Sequence, residues 1–247
     1  MGDMKEELRK LEIFSEISDK SISLIYKHGK IKKYRVGSMI FLDKEHINFI
    51  YIVMSGTVSL YKVNENGQKK VIFILDNGKI INEVIIQDLP ESINCETFEN
   101  AEILEIDRDT FIDIMESDFQ LTKAVIESLS NKVRRTYRQL KNTSASIKIE
   151  KKLVAKIYKL GKDYGISCDN GIMIDMKISI TYLADLLGSQ RETVSRSIKI
   201  LQDKKLFYYK DKKIFIPDLQ ELSDYFKIPW YISRYFFGIL SILYNIS

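Results

Sequence analysis

The stretch from Ile178 to Phe207 constrains the fold more than any other part of the chain. Ser179 is a residue type that caps helix N-termini, and Gly188 can adopt the left-handed backbone conformation of a sharp turn without strain. Apolar residues recur at helical spacing on both sides of that glycine, namely Leu183, Leu186 and Leu187 before it and Val194, Ile198 and Leu201 after it. The pattern predicts two short amphipathic helices joined by a tight turn.

The second of these helices carries polar side chains on the face opposite its apolar residues. These are Gln190, Arg191, Glu192, Ser195, Arg196 and Lys199. Helix-turn-helix proteins insert such a face into the DNA major groove, where arginine can donate two hydrogen bonds to guanine and glutamate can accept one from cytosine. The alternative is a charged face that only contacts water. The agreement of cap, turn and apolar spacing favours the DNA-binding interpretation.

The residues that follow, Phe207 to Ile216, predict two strands around a charged turn. From Ile180 to Ile216 the chain holds eight basic and four acidic residues, so the whole region attracts a polyanion. This arrangement is typical of a β-hairpin wing beside a recognition helix, and Lys213 is a candidate phosphate contact.

The segment Gly188-Ser-Gln-Arg-Glu-Thr-Val-Ser-Arg196 resembles the recognition helix of the catabolite-activator and fumarate-nitrate-reductase (CRP/FNR) family of transcription regulators. The resemblance covers about Leu11 to Tyr225. It implies an α+β chain with an N-terminal cyclic-nucleotide-binding-type antiparallel β-roll, a long dimerisation helix and a C-terminal winged helix-turn-helix. The implied partners are a pseudo-palindromic double-stranded DNA, a second copy of the chain, a small effector and, for an activator, RNA polymerase.

The same resemblance assigns roles to single residues. It places Arg191, Glu192 and Arg196 against base edges, and Ser195 is grouped with them. Ser179, Ser189 and Gln190 match positions that hold phosphate, and Lys199 and Lys213 join them because lysine commonly contacts the DNA backbone.

The N-terminal half alternates short β-rich runs with glycines, after a predicted helix at Asp19–His28. The strands are predicted at Phe49–Met54, Thr57–Val63, Val71–Leu75, Ile93–Thr97 and Ile103–Asp107. Between two of them, Asn66-Gly67 predicts a tight hairpin with positive φ angles. Regularly spaced short strands are typical of an antiparallel barrel or roll.

From Asp109 the apolar period becomes helical. Alternating spacings of four and three residues produce a heptad seam of Met115, Phe119, Thr122, Ile126, Leu129, Val133, Thr136 and Leu140. A seam of this length usually packs against a copy of itself in another subunit, and packing on its own domain is the alternative. A second apolar edge, formed by Ile114, Leu121 and Val125, could pack on the roll, so both arrangements are compatible.

Cap and turn formers at Asn142–Ser146 interrupt this helix, and a new amphipathic helix is predicted at Ile149–Leu160. We therefore predict a β-roll sensor at residues 1–108, a dimerisation helix at 109–142, a winged helix-turn-helix at 143–226 and an apolar tail at 227–247. The tail is expected to pack on the DNA-binding domain or across the dimer, and a peripheral membrane contact through Trp230 is the minority interpretation.

The predicted effector segment departs from the family pattern for cyclic nucleotides. Glu83 and Ser92 persist at the expected places, but Glu91 stands near the position of the arginine that would hold the cyclic phosphate. A carboxylate repels a phosphate, and Asp76–Asp113 contains eleven acidic and two basic residues. A cyclic nucleotide is therefore not expected. The candidate effector pocket comprises Ile80, Ile81, Asn82, Glu83, Ser92 and Ile93.

Other sensing chemistries are constrained by the cysteine and histidine content. Cys95 and Cys168 cannot supply the four cysteine ligands of an iron–sulfur cluster, and they show no metal-binding spacing. Haem ligated by His28 or His46 stays open as a nitric oxide or redox sensor, as does an apolar molecule in the roll. Cys95 has no basic sequence neighbour that would lower its pKa, so a buried thiol is expected.

No motif indicates catalysis, and two histidines eighteen residues apart argue against a metal-dependent enzymatic barrel. A cytoplasmic location is expected because the N-terminus lacks the apolar core of a signal peptide. The remaining rival is a cyclic-nucleotide-binding signalling module that acts through a protein partner. In the favoured hypothesis, a signal in the roll changes how two long helices pack, and Asn142–Ser146 transmits the change to the DNA-binding domains.

Overall fold

The computed structural model describes residues 2–141 and 148–226, which form two compact units divided after Lys141. The segment Asn142–Ser146, to which the sequence assigns signal transmission, and the tail at 227–247 lie outside the described residues.

The first unit opens with helices α1 (Gly2–Lys10) and α2 (Asp19–His28) and continues into two antiparallel sheets. One sheet has the strand order β1-β7-β3 and the other β2-β6-β4-β5. The strands are β1 (Lys30–Tyr34), β2 (Met39–Phe41), β3 (Phe49–Ser55), β4 (Val58–Val63), β5 (Lys69–Leu75), β6 (Asn94–Thr97) and β7 (Ala101–Asp107). A short 3-10 turn at Glu83–Gln87 follows β5. The antiparallel roll predicted from the sequence is confirmed.

Strand β3 shows how the sequence determines this layering. Its five central residues are all buried, as expected for a strand that is covered on both faces. Ile50 and Ile52 belong to the apolar core that includes helix α2, whereas Tyr51 and Val53 belong to the core between the two sheets. Alternate side chains therefore supply two different cores.

The hairpin between β4 and β5 differs from the prediction in its turn. Of the two residues Asn66 and Gly67, only Gly67 has a positive φ, at 73°. The Asn64 carboxamide oxygen accepts hydrogen bonds from the backbone amides of Asn66 and Gln68, at 3.0 and 2.9 Å. With this side-chain turn, Gly67 is the residue that supplies the positive φ.

Helical structure resumes after β7, but as two helices and not as the single predicted one. Helix α3 (Arg108–Ser117) and helix α4 (Phe119–Lys141) are separated by Asp118, whose backbone is extended. The buried Asp118 carboxylate accepts hydrogen bonds from Ser21 Oγ at 2.6 Å and from the Ser18 amide at 2.8 Å. Burial opposes ionisation, yet these bonds lower the pKa of Asp118 to about 2. The break therefore anchors the start of α4 to α2.

The second unit contains α5 (Ile149–Tyr164), α6 (Ile180–Leu187), α7 (Arg191–Asp203) and α8 (Leu219–Phe226). Its sheet has the order β10-β11-β9-β8, built from β8 (Gly165–Cys168), β9 (Gly171–Ile174), β10 (Tyr208–Lys210) and β11 (Lys213–Ile216). The two predicted short helices and the wing are confirmed. The hairpin β8–β9 was not predicted.

Candidate nucleic-acid interface and signal-receiving roll

Helices α6 and α7 are joined by the predicted glycine turn. The Ser179 hydroxyl oxygen accepts a hydrogen bond from the Tyr182 amide at 3.1 Å and caps α6. Gly188 has a φ of 60°, and the Ser189 amide donates to the Ala184 carbonyl at 3.0 Å, which closes the helix end. Six predicted apolar positions point inward, and all are buried except Leu187, which is half-buried.

Helix α7 separates its buried and exposed residues as the sequence predicts. Val194, Ile198 and Leu201 are buried, together with Ser197, whose hydroxyl donates to the Thr193 carbonyl at 3.0 Å. The side chains on the opposite face are exposed at Gln190, Arg191, Glu192, Arg196 and Lys199, and half-buried at Ser195. The helix thus presents a continuous polar face that begins at its N-terminus.

The first turn of α7 is open to an external partner. Gln190 precedes the helix but its side chain makes no capping hydrogen bond, so it satisfies none of the free backbone amides there. Arg191 and Glu192 approach each other only to 3.9 Å and both are well exposed. Such a surface pair contributes little stability and separates easily.

One residue of the wing, Tyr209, is hydrogen-bonded both to α7 and to the segment that precedes α6. The Tyr209 amide donates to the Gln202 carboxamide oxygen at 2.6 Å, and its hydroxyl donates to the Ile178 carbonyl at 3.0 Å. Asp211 and Lys212 at the tip both have positive φ angles, and exposed Lys213 follows them on β11. Three lysines of the wing, at positions 210, 212 and 213, are exposed.

The heptad seam of the first unit divides into two groups. Phe119, Ile126, Val133 and Leu140 repeat every seven residues and are between 46% and 72% exposed. Met115, Thr122 and Leu129 are half-buried, while Thr136 is exposed and donates its hydroxyl hydrogen bond to the Lys132 carbonyl. Tyr137, 68% exposed, belongs to this surface although the heptad pattern does not include it.

The predicted second apolar edge is buried, unlike the exposed part of the seam. Ile114, Leu121 and Val125 are buried in the core of the first unit, as expected. Helix α4 therefore has one face covered by its own roll and a neighbouring face whose large apolar side chains are exposed. Burying four large side chains of the latter would each contribute roughly 1.5–3 kcal/mol.

The predicted effector residues do not share one environment. Ile80 and Ile81 are core residues, and Ile93 is half-buried beside the core between the sheets. The Asn82 side chain pairs with β3, accepting from the Tyr51 amide at 2.8 Å and donating to the Phe49 carbonyl at 2.9 Å. The three isoleucines thus pack in or beside the cores, and Asn82 is held by the backbone of β3.

Ser92 is the exposed member of the predicted pocket, and its backbone carbonyl accepts a hydrogen bond from Lys62 at 2.9 Å. Glu83, in contrast, is buried and ion-paired to Lys132 of α4, while the Ser128 hydroxyl donates to its other oxygen at 2.7 Å. The Lys132 ammonium also donates to the carbonyls of Ile80 and Ile81, at 3.1 and 3.0 Å.

Sequence reasoning missed this contact between roll and helix. Glu83 was identified, but Lys132 lies 49 residues further along the chain and looks like any surface lysine. The Gln139 amide also donates to the Ile72 carbonyl at 2.8 Å, and the Arg135 guanidinium lies over the Phe73 ring. Polar side chains of α4 thus contact the roll at three places.

Glu91 is the least satisfied group among the described residues. Its carboxylate is only 2% exposed, and neither oxygen has a hydrogen-bond partner in residues 2–141 and 148–226. Burial raises the pKa of this carboxyl to about 7, with a contribution from Glu83, although the nearby Asn82 amide and Lys132 ammonium oppose the rise.

The remaining sensing candidates occupy simple environments. Cys95 is fully buried, as predicted, and burial raises the pKa of its thiol, whereas Cys168 is exposed. His28 and His46 are both exposed. Within the described ranges, no three His, Cys, Asp or Glu residues are grouped so that they could hold a metal ion. No helix in the described part of the chain is long and apolar enough to cross a bilayer.

Comparison with known proteins assigns both units to described sequence families. Residues 31–118 match the cyclic nucleotide-binding domain, and residues 151–225 match the Crp-like helix-turn-helix domain. The two matches together span about two thirds of the chain.

Whole-chain relatives agree with these matches. The global nitrogen regulator of a Nostoc species is 24% identical over 199 residues, which cover 79% of this chain and 89% of that protein. The CRP-like cAMP-activated global transcriptional regulator of Mycobacterium tuberculosis is 20% identical and covers 89% of this chain and 98% of its own length. Among solved structures, the c-di-GMP-responsive global regulator CLP of Xanthomonas campestris superposes with a TM-score of 0.72 at 20% identity, covering 81% of this chain and all of that one.

Proposed function

Because the chain belongs to the CRP/FNR family of transcription regulators, we propose that it is a homodimer whose two α7 helices contact the two halves of a pseudo-palindromic operator. The single observation that carries the proposal is the exposed polar face of α7, which begins at the helix N-terminus and lies beside a lysine-rich wing. Helix-turn-helix dimers bind half-sites about one helical turn apart, so the operator should have that spacing.

The contacts divide into two kinds. Arg191, Glu192 and Arg196, with Ser195, would contact base edges, since their side chains project from the first two turns of α7. Phosphate contacts would come from Ser179, Ser189, Gln190, Lys199 and Lys213. The Ser179 hydroxyl uses its oxygen to cap α6, and its hydrogen stays free to bind a phosphate oxygen.

Dimerisation would use the apolar face of α4. Phe119, Ile126, Val133 and Leu140 lie one heptad apart, and parallel copies of such a face pack as a coiled coil. Tyr137 would lie beside this seam. The two-fold axis of that coiled coil would then match the two-fold symmetry of the operator.

The regulating signal would enter through the roll, and a cyclic nucleotide is not the proposed signal. The site has Glu91 near the place of the phosphate-binding arginine, and Lys132, the cation that acts on Glu91, is already bound to Glu83. A phosphate here would face a carboxylate, which does not fit. Haem ligation by the exposed His28 or His46 is the weaker alternative. We place the protein in the cytoplasm with its DNA, and an activator would also contact RNA polymerase.

A binding experiment with purified full-length protein tests the proposal. The preferred operator is first selected from a random duplex pool, and fluorescence anisotropy then compares it with a scrambled duplex between 50 and 200 mM salt. We expect an affinity for the operator that is at least a thousandfold higher, and a loss of roughly 10³–10⁵ in affinity over that salt range if six to ten phosphates are contacted. Equal affinity for both duplexes would refute the proposal.

A further inference from the structure

We propose that the interior of the roll holds a binding subsite for a small organic cation, whose ammonium or guanidinium group pairs with the Glu91 carboxylate. The inference rests on the proposed function, because it names the chemical class of the effector that the roll would receive. Glu91, which lies near the place of the family's phosphate-binding arginine, would then recognise a cation.

The first observation is that Glu91 is held in the interior by its own backbone. Its amide donates to the Glu45 carbonyl at 2.9 Å, and its carbonyl accepts from the Lys44 amide at 2.7 Å. The side chain is 2% exposed, with both oxygens unpartnered among the described residues. A buried carboxylate without donors is costly, so a residue kept in this state indicates a missing donor.

The second observation is that the ammonium beside Glu91 is already committed to other acceptors. An ammonium group has three N–H bonds, and those of Lys132 go to Glu83 and to the carbonyls of Ile80 and Ile81. The Asn82 side chain binds the backbone of β3 through its oxygen and one N–H, and its remaining N–H is a neutral donor close enough to lower the pKa of Glu91. A charged donor for Glu91 would therefore have to come from another molecule.

The third observation is the sign of the surrounding charge. Glu83 and Glu45 both raise the pKa of Glu91, and Lys132 alone among the charged neighbours lowers it. Tyr51 and Cys95, which also lie near Glu91, have raised pKa values and are neutral at physiological pH. Two carboxylates and one already paired ammonium leave a net negative site, which attracts a cation that can donate hydrogen bonds.

The site also has a direct structural route to the dimer surface. Lys132, which contacts both the Glu83 carboxylate and the turn that precedes it, is the sequence neighbour of the exposed Val133. A cation bound at Glu91 would lie beside this ion pair and compete with Lys132 for negative charge. Binding of the cation would thus weaken the contact between Lys132 and Glu83 and favour a different position of α4.

Thermal unfolding of the full-length protein with named probes tests the inference. We would use agmatine, putrescine and methylammonium as cations, with cAMP and glutarate as anions, each at pH 6 and pH 8. The cations should raise Tm, and the anions should not. Only ionised Glu91 binds a cation, so a pKa of about 7 in the empty site makes the affinity about tenfold higher at pH 8 than at pH 6.

Two variants make the result specific. Glu91→Gln keeps the size of the side chain and removes its charge, and it should abolish both the Tm shift and its pH dependence. Glu65→Gln changes an exposed glutamate of the β4–β5 hairpin and should behave as the unchanged protein. Circular dichroism confirms that both variants fold, which is expected because Glu91→Gln removes a buried charge.

The outcomes separate this inference from the proposed function. No Tm shift with any of the three cations, or a shift that persists in Glu91→Gln, overturns the cation site. A larger shift with cAMP or glutarate than with the cations also overturns it. Operator binding is measured on the same samples without any probe, so a failure of DNA recognition would be detected separately from a failure of the cation site.

Discussion

The buried Glu91 carboxyl predicts an unusual dependence of stability on pH. Its pKa is about 7 in the folded protein and 4.5 in its unperturbed state, so the folded roll holds a proton that the unfolded chain releases. Each pKa unit corresponds to 1.36 kcal/mol, which gives roughly 3 kcal/mol for this group. Because the folded pKa is raised, this stability is present below about pH 4.5 and is lost as the pH rises through 7.

Replacing Glu91 with glutamine isolates that contribution. Glutamine has no titration here, so the difference in unfolding free energy between Glu91→Gln and the unchanged protein should grow by about 2.5 kcal/mol in favour of the variant from pH 5 to pH 8. Any effect of the glutamine amide on stability that does not depend on pH is the same at pH 5 and pH 8, so it cancels when the two differences are compared. The opposite expectation, a carboxylate paired within the protein, would make the variant relatively worse as the pH rises.

The two cysteines provide an assay specific to the roll. Cys95 is fully buried in the core between the sheets and Cys168 is exposed in the other unit, so in a Cys168→Ser background only unfolding of the roll exposes a thiol. Urea titrations are followed by pulse labelling of Cys95, and variants are compared at the same pH so that thiol chemistry cancels. Differences in unfolding free energy that are equal at pH 5 and pH 8 would refute the buried, unpartnered state of Glu91.

Three further predictions concern the helix break, the dimer face and the DNA contacts. Asp118 has a pKa lowered to about 2, so the roughly 2 kcal/mol that it contributes at neutral pH should be lost as the pH falls from about 4 to 2, and Asp118→Asn should remove this dependence in urea titrations. The double change Ile126→Ser and Val133→Ser should convert the dimer to monomer in sedimentation without loss of helix content, since both side chains are exposed within one chain; an unchanged dimer would place the interface elsewhere. Arg191→Ala should cost about 1–3 kcal/mol of binding free energy on the preferred operator and relax base preference. Lys213→Ala should instead lower the affinity for all duplexes alike and reduce the slope of affinity against salt by about one. The reverse pattern would exchange the roles assigned to these two residues.

Local sequence was sufficient for the helix-turn-helix because all its determinants lie within thirty residues. The cap at Ser179, the turn at Gly188 and the apolar spacing of α7 each act on their immediate neighbours. Their signals agree, and agreement across several local features is what makes a segment predictable. The unpredicted hairpin β8–β9 also had a local signal, since the turn formers Asp169, Asn170 and Gly171 lie where its two strands meet.

The break at Asp118 could not be found from periodicity. The heptad spacing runs unchanged from Met115 to Phe119, so the pattern continues through a residue with an extended backbone. What interrupts the helix is a set of hydrogen bonds to Ser18 and Ser21, about one hundred residues earlier in the chain. Contacts of that separation leave no trace in local spacing.

The arrangement on α4 explains how a roll without a phosphate-binding arginine could still control a dimer. Successive helical residues are about 100° apart, so the roll-facing Val125 and Lys132 lie directly beside the exposed Ile126 and Val133. A rotation of α4 that strains or relieves the Lys132–Glu83 pair therefore turns the apolar face by the same angle. Packed helices have few alternative arrangements, and a small change in charge near Glu83 can shift the balance between two of them. Control of DNA binding then requires only a ligand that changes this charge, whatever its resemblance to a nucleotide.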